Sequence, residues 1–116
     1  MDSKTFDLIL KQRILNMKRI LASKGKEYAS NNDRLYNFKR AGQIKRESPE
    51  AAWLGMFSKH LVSILDLIEN PDTVLTSKKK PVEYIDEKIG DAINYLVLLE
   101  GLVLERLSNK ISKKVL

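Results

Sequence analysis

The sequence predicts an all-α fold, a bundle of four to five helices with a long helix at its C-terminal end. Three observations point there. Apolar residues recur at three- and four-residue steps through most of the 116 residues, no stretch alternates with the period of a strand, and the breaks between periodic segments carry helix start and stop signals. A chain of this length forms one domain, residues 1–116, with its ordered part at about 5–108 and a tail at 109–116 expected to fray. Apolar residues make up 43% and charged residues 31%, which are globular values.

The first helix is expected from Thr5 to Ser23. Phe6, Ile9, Leu10, Ile14, Met17, Ile20 and Leu21 form one apolar stripe, with Lys11, Lys18 and Arg19 largely outside it. Gly25 follows as a stop signal, and "SNND" supplies turn chemistry. A shorter helix is expected over 34–45, packing through Leu35, Phe38 and Ile44. "ESPEAAW" opens the third: Ser48 at the N-cap, Pro49 at the first helical position and Glu50 in the first turn, where the helix dipole favours negative charge. This helix runs to about Glu69, because Pro71 cannot continue it. The stretch 72–80, "DTVLTSKKK", reads as an exposed, mobile loop. The last helix is expected from Val82 to Leu107 or Ser108, about 40 Å at ~1.5 Å per residue. Trp53, Met56 and Phe57 are expected in the core.

Composition excludes several chemistries. With no cysteine there is no disulfide framework, thiolate nucleophile or zinc–thiolate site. No Gly-rich phosphate loop, Ser/His/Asp arrangement or metal-binding histidine pair is present. No apolar run approaches a bilayer span and the N-terminus has no secretory pattern, so a cytoplasmic protein without a membrane partner is the expectation. The net charge of +6 lies wholly in the N-terminal half. Residues 1–58 carry 12 Lys and Arg against 6 Asp and Glu, and residues 59–116 carry 9 against 9. That excess, notably "KRAGQIKR" at 39–46, is either a solvated basic face or an attraction for the phosphates of nucleotides or nucleic acid.

Polar residues interrupt the apolar pattern at helical spacing. Glu87, Asp91 and Asn94 fall on one face of the last helix; Lys59, Ser63 and Asp66 fall on one face of the third, with His60 and Glu69 beside them. In an antiparallel hairpin Asp66 comes near Glu87 and Lys59 near Asn94. Such stripes are either register-fixing ion pairs such as Lys59 with Asp91, solvated faces, or an all-oxygen site for Mg²⁺ completed by substrate phosphates. His60, the only histidine, is either a structural hydrogen-bonder or part of that site. Tyr28, Tyr36, Phe38 and Tyr95 are either packing residues or platforms for a base.

"EKIGDAINYLVLLEGL", residues 87–102, resembles the last helix of the all-α nucleotide pyrophosphatases, the MazG and dimeric dUTPase group, which commonly reads "EELGD" before an apolar run. The resemblance implies a MazG-like bundle in which carboxylates from two helices hold Mg²⁺ while water attacks a nucleoside triphosphate and releases pyrophosphate. Glu87 and Asp91 match the first Glu and the Asp of that pattern. Lys88 stands where the group has an acid three residues before the Asp, and "DLIE" at 66–69 is the nearest match to its upstream glutamate-rich motif. The chain also resembles a phage and prophage family described as a nucleotide modification associated domain. "KGKEY" at 24–28, "KHLVSILD" at 59–66 and "DAINY" at 91–95 carry that likeness, over roughly residues 24–103. The resemblance implies a metal set of Glu27, Asp66, Glu87 and Asp91, with Glu87 and Asp91 catalytic. It also implies a substrate-binding set of Lys24, Lys26, Tyr28, Lys59, His60, Asn94 and Tyr95. Nucleotide pyrophosphohydrolysis is the first expectation; a non-catalytic nucleotide- or nucleic-acid-binding accessory, or a host-interaction protein, is the alternative. The apolar end of the last helix suggests a homo-oligomer, by symmetry a dimer.

Overall fold

The computed structural model describes residues 1–28 and 33–110, with side chains at 1–23 and 33–110. It holds four α-helices and one short 3-10 helix, and no strand among the described residues. Helix α1 is Ser3–Tyr28, α2 Tyr36–Lys45, α3 Pro49–Glu69 and α4 Pro81–Lys110, with the 3-10 turn at Pro71–Thr76 between α3 and α4. The expected all-α bundle with a long final helix is the fold.

The start of α3 follows the sequence signal: the Ser48 hydroxyl accepts the Ala51 N–H at 3.1 Å, and Pro49 occupies the first turn. Three expectations are corrected. Gly25 does not stop α1, which continues to Tyr28. A glycine ends a helix when it takes the left-handed conformation, and no described glycine has positive φ. The stretch after Asn70 is not simply a loop. Residues Pro71–Thr76 form the 3-10 turn, which packs on α3 and α4 and buries Val74 to 5% exposure. Ile44 does not pack: α2 meets the start of α3 through Phe38 and Gly42, and two residues further on the side chain points roughly 200° away.

The core is small. Phe38, Trp53 and Leu102 are buried together, with Leu35, Met56, Phe57, Tyr95, Leu98 and Leu99 packed around them. α3 and α4 run antiparallel, because the Trp53 indole N–H donates to the Tyr95 carbonyl at 2.7 Å while His60 lies opposite Asp91. α1 lies against the first half of α4. Arg13 crosses at Gly90, pairs with the Asp86 carboxylate at 2.9 Å and donates to its carbonyl, and Asn16 donates to the same carboxylate. A Cβ on Gly90 would stand 2.7 Å from the Arg13 guanidinium, so glycine is what lets this cation cross. The expected apolar face of α1 is therefore buried only in part. Met17, Ile20 and Leu21 are half-buried, but Phe6, Ile9, Leu10 and Ile14 are exposed, since α1 meets α4 only from about Arg13 onward.

By length and composition α3 would reach across a membrane, contrary to the expectation that no segment approaches this; its most apolar window has a mean hydropathy of 1.3 and is only 11% buried. Lys59, His60 and Asp66 fall within that helix.

Candidate functional site

The α3–α4 hairpin, the start of α2 and Leu21 of α1 enclose a cavity of about 620 Å³, within the range of small-molecule sites. Its walls are mostly apolar: Leu35, Phe38, Met56 and Leu98 among others. Four polar residues interrupt them, Asp91 and Asn94 from α4 and Arg34 and Asn37 from the segment opening α2. Arg34 donates to the Leu21 carbonyl, tying the two sides of the opening together.

Asn94 is the unusual member. It is 4% exposed, and neither its amide nitrogen nor its amide oxygen finds a hydrogen-bond partner among the described residues. Leaving a buried polar group unsatisfied costs about 1–3 kcal/mol, so the amide is a stored donor–acceptor pair at the cavity wall. Beside it Tyr95 is held by three rings: Phe38 edge-on at 6.0 Å, Phe57 at 6.4 Å and His60 at 4.4 Å. Trp53 stacks on Phe57 at 4.6 Å and anchors the Tyr95 backbone through its indole N–H. The α4 turn carrying Asp91, Asn94 and Tyr95 is thus fixed from the α3 side.

His60 Nδ1 lies 3.9 Å from Asp91 Oδ2, beyond hydrogen-bond length but within reach of an ion pair when the imidazole is protonated. Glu87, one turn before Asp91, accepts from Lys79, and that carboxylate holds the Lys79 ammonium above its ordinary value of 10.5. Lys88, standing where the pyrophosphatase group has an acid, lies over the Tyr84 ring at 5.4 Å.

His60, Asp91, Asn94 and Tyr95 are brought together. Lys59 and Asp66 are exposed on α3, so the expected facing of two polar stripes is replaced by His60 opposite Asp91. The side chains of Lys24, Lys26, Glu27 and Tyr28 lie outside the described residues. Among the described residues no group of three or more His, Asp or Glu is placed to hold a metal; Glu87 and Asp91 stand at successive turns of α4. Of the basic run at 39–46, Lys39 is bound to Asp33 and Glu105, while Arg40 and Arg46 are exposed.

Sequence reasoning missed Arg34 and Asn37. Both fall within the helix expected over 34–45 but were given no role there, although their three-residue spacing beside Leu35 and Phe38 was a signal for a polar pair on a packed helix start. It also missed Arg13, a cation set among the apolar positions of α1 that Asp86 answers. No protein-family model, no curated protein and no solved structure matches the chain.

Proposed function

We propose that the cavity binds a nucleotide, with the base inserted among the apolar walls and its polar edge meeting the Asn94 amide. The observation that carries this reading is the buried amide with both hydrogen-bonding atoms unpartnered at the wall of a cavity of about 620 Å³. A purely apolar ligand would leave the amide unsatisfied. A heteroaromatic edge offering one donor and one acceptor satisfies both atoms at once, and the base face packs against the aromatic and aliphatic walls. Arg34 is the described cation positioned to meet a phosphate at the same cavity. The likeness of "DAINY" to the nucleotide modification associated family supports the same ligand class.

Hydrolysis is the second reading, favoured by one observation: Asp91 lines this cavity and Glu87 stands one turn before it. Two carboxylates with waters and phosphate oxygens suit Mg²⁺, which supplies charge neutralisation on the phosphates when bound. Glu87 would give up its pairing with Lys79 to hold the cation together with Asp91. The balanced reaction is addition of water to a nucleoside triphosphate to give monophosphate and pyrophosphate.

The test is calorimetric titration of the chain with a panel of nucleosides and nucleoside triphosphates, with and without Mg²⁺, alongside pyrophosphate release. Binding to the wild type that is lost in Asn94→Leu supports the proposal. Binding that survives the substitution contradicts it. Pyrophosphate release lost in Asp91→Ala with binding retained supports hydrolysis, and binding without release limits the protein to a nucleotide-binding role.

A further inference from the structure

α3 has two apolar faces, and one of them is unused. Trp53, Phe57, His60 and Ile64 turn toward α4. About 90° around the helix, at about 100° per residue, Leu54, Ser58, Leu61, Leu65 and Ile68 succeed one another at alternating steps of four and three. That is the spacing of a coiled-coil seam. Leu54 is 60% exposed, Leu61 46%, Leu65 45% and Ile68 70%. The Ser58 hydroxyl is turned back onto the Gly55 carbonyl at 2.6 Å, which removes its donor from the surface of the seam. Lys59 and Asp66 occupy the third, polar side of the helix.

The amount of uncovered surface decides what must cover it. The chain exposes 8915 Å², against about 6,500 Å² for a compact folded monomer of its mass. The radius of gyration is 16.7 Å, against about 13 Å for a compact domain of this length. The four large seam side chains expose about 400 Å² per copy, so a symmetric pair hides about 800 Å² through them, and the flanking positions Ala51, Ser58 and Val62 supply the rest of the roughly 1,000 Å² a stable interface needs.

The geometry points to a second copy of this chain as the occupant, with α3 packed antiparallel on α3 across this seam. The seam is complementary to itself under a two-fold axis. Ala51 faces Ile68, Leu54 faces Leu65 and Ser58 faces Leu61, which uses every position and sets the two small residues opposite large ones. A bilayer is the poorer occupant, because Lys59, His60 and Asp66 would enter it on the same helix. This inference stands apart from the nucleotide cavity, which lies on the α4 side of α3.

The chain has no cysteine, so introduced thiols report without background. Light scattering is expected to give twice the 13.3 kDa of the chain, falling to the single mass in Leu61→Glu with helical circular dichroism retained. On mild oxidation, Leu54→Cys and Leu65→Cys chains mixed together are expected to cross-link to each other. Neither cross-links to itself, because identical positions lie eleven residues apart along an antiparallel pair, about 16 Å. The inference is overturned by a wild type that is monomeric at micromolar concentration. It is equally overturned by single-cysteine chains that cross-link only to themselves, or by a chain that co-sediments with lipid vesicles and dimerises in neither state.

Discussion

Asn94 shows at the scale of one residue how a site differs from a core. Leucine would fill the same place between Asp91 and Leu98 without leaving an amide unsatisfied, so the asparagine is retained at a cost to stability. Asn94→Leu is expected to stabilise the apo protein by about 1–2 kcal/mol, read as a higher urea midpoint at unchanged slope. Lower stability in the variant contradicts the view of a stored, unpaired amide. Arg46 is a second residue held against its preference: it closes α2 with φ 57° and ψ 46°, a conformation glycine adopts freely. Arg46→Gly is expected to gain about 0.5–1 kcal/mol. Asp33 illustrates the charged case. It accepts from the Lys39 ammonium at 2.7 Å and the Leu35 N–H at 3.0 Å, and the hydrogen bond from Lys39, opposed by burial, holds its carboxyl below the ordinary 3.8. A carboxylate with a depressed folded-state pKa adds stability above its unfolded value and loses it as the pH falls through the folded one. The stability difference between wild type and Asp33→Asn is therefore expected to be present at neutral pH, at under about 1 kcal/mol for so exposed a pair. It should fade as the pH falls below 3.8 and through the lowered folded-state value; a difference that persists in acid assigns the effect to the backbone turn.

The helices were legible where local chemistry decides. Ser48, Pro49 and Pro71 bracket α3 through capping and a missing N–H, and such effects act within one turn. They were less legible where a neighbour decides. The 3-10 turn forms because Val74 finds cover between α3 and α4, which the run "DTVLTSKKK" does not announce. The identity of the packed side of α2 depends on Gly42, whose absent Cβ would stand 2.7 Å from the Glu47 carbonyl oxygen. Gly42→Ala is expected to destabilise by about 1–3 kcal/mol through overpacking against backbone that cannot move aside. An unchanged midpoint in denaturant would show that the α2–α3 corner is looser than its geometry. The site divides in the same way. The Asp91–Asn94–Tyr95 run was visible from spacing on α4, while Arg34 and Asn37 reach the cavity only because α2 folds across it.

At the scale of the molecule, the five buried hydrophobic residues among those described are few for a chain of this size. The apolar periodicity of α1 was read from the sequence as a buried face, yet much of it faces outward, as does an apolar face of α3: a period shows that a helix has an apolar face, not which chain covers it. Pairing through α3 would hide one such face, and the exposed first turns of α1, with Phe6, Leu8 and Ile9, remain as further surface. Stability of the folded chain should accordingly depend on its concentration, the melting temperature rising with each dilution step avoided. A midpoint independent of concentration over a hundredfold range would mean that the helices hold together without a partner.

The Asn94 amide, unpaired among the described residues, is proposed to be kept for a nucleotide base. The most direct measurement is the melting temperature of wild type and Asn94→Leu side by side, each with and without a saturating panel of nucleotides. The variant is expected to melt higher alone and to gain nothing from any nucleotide, while the wild type gains with at least one. A wild type that responds to none of them, or a variant that responds equally, would contradict it.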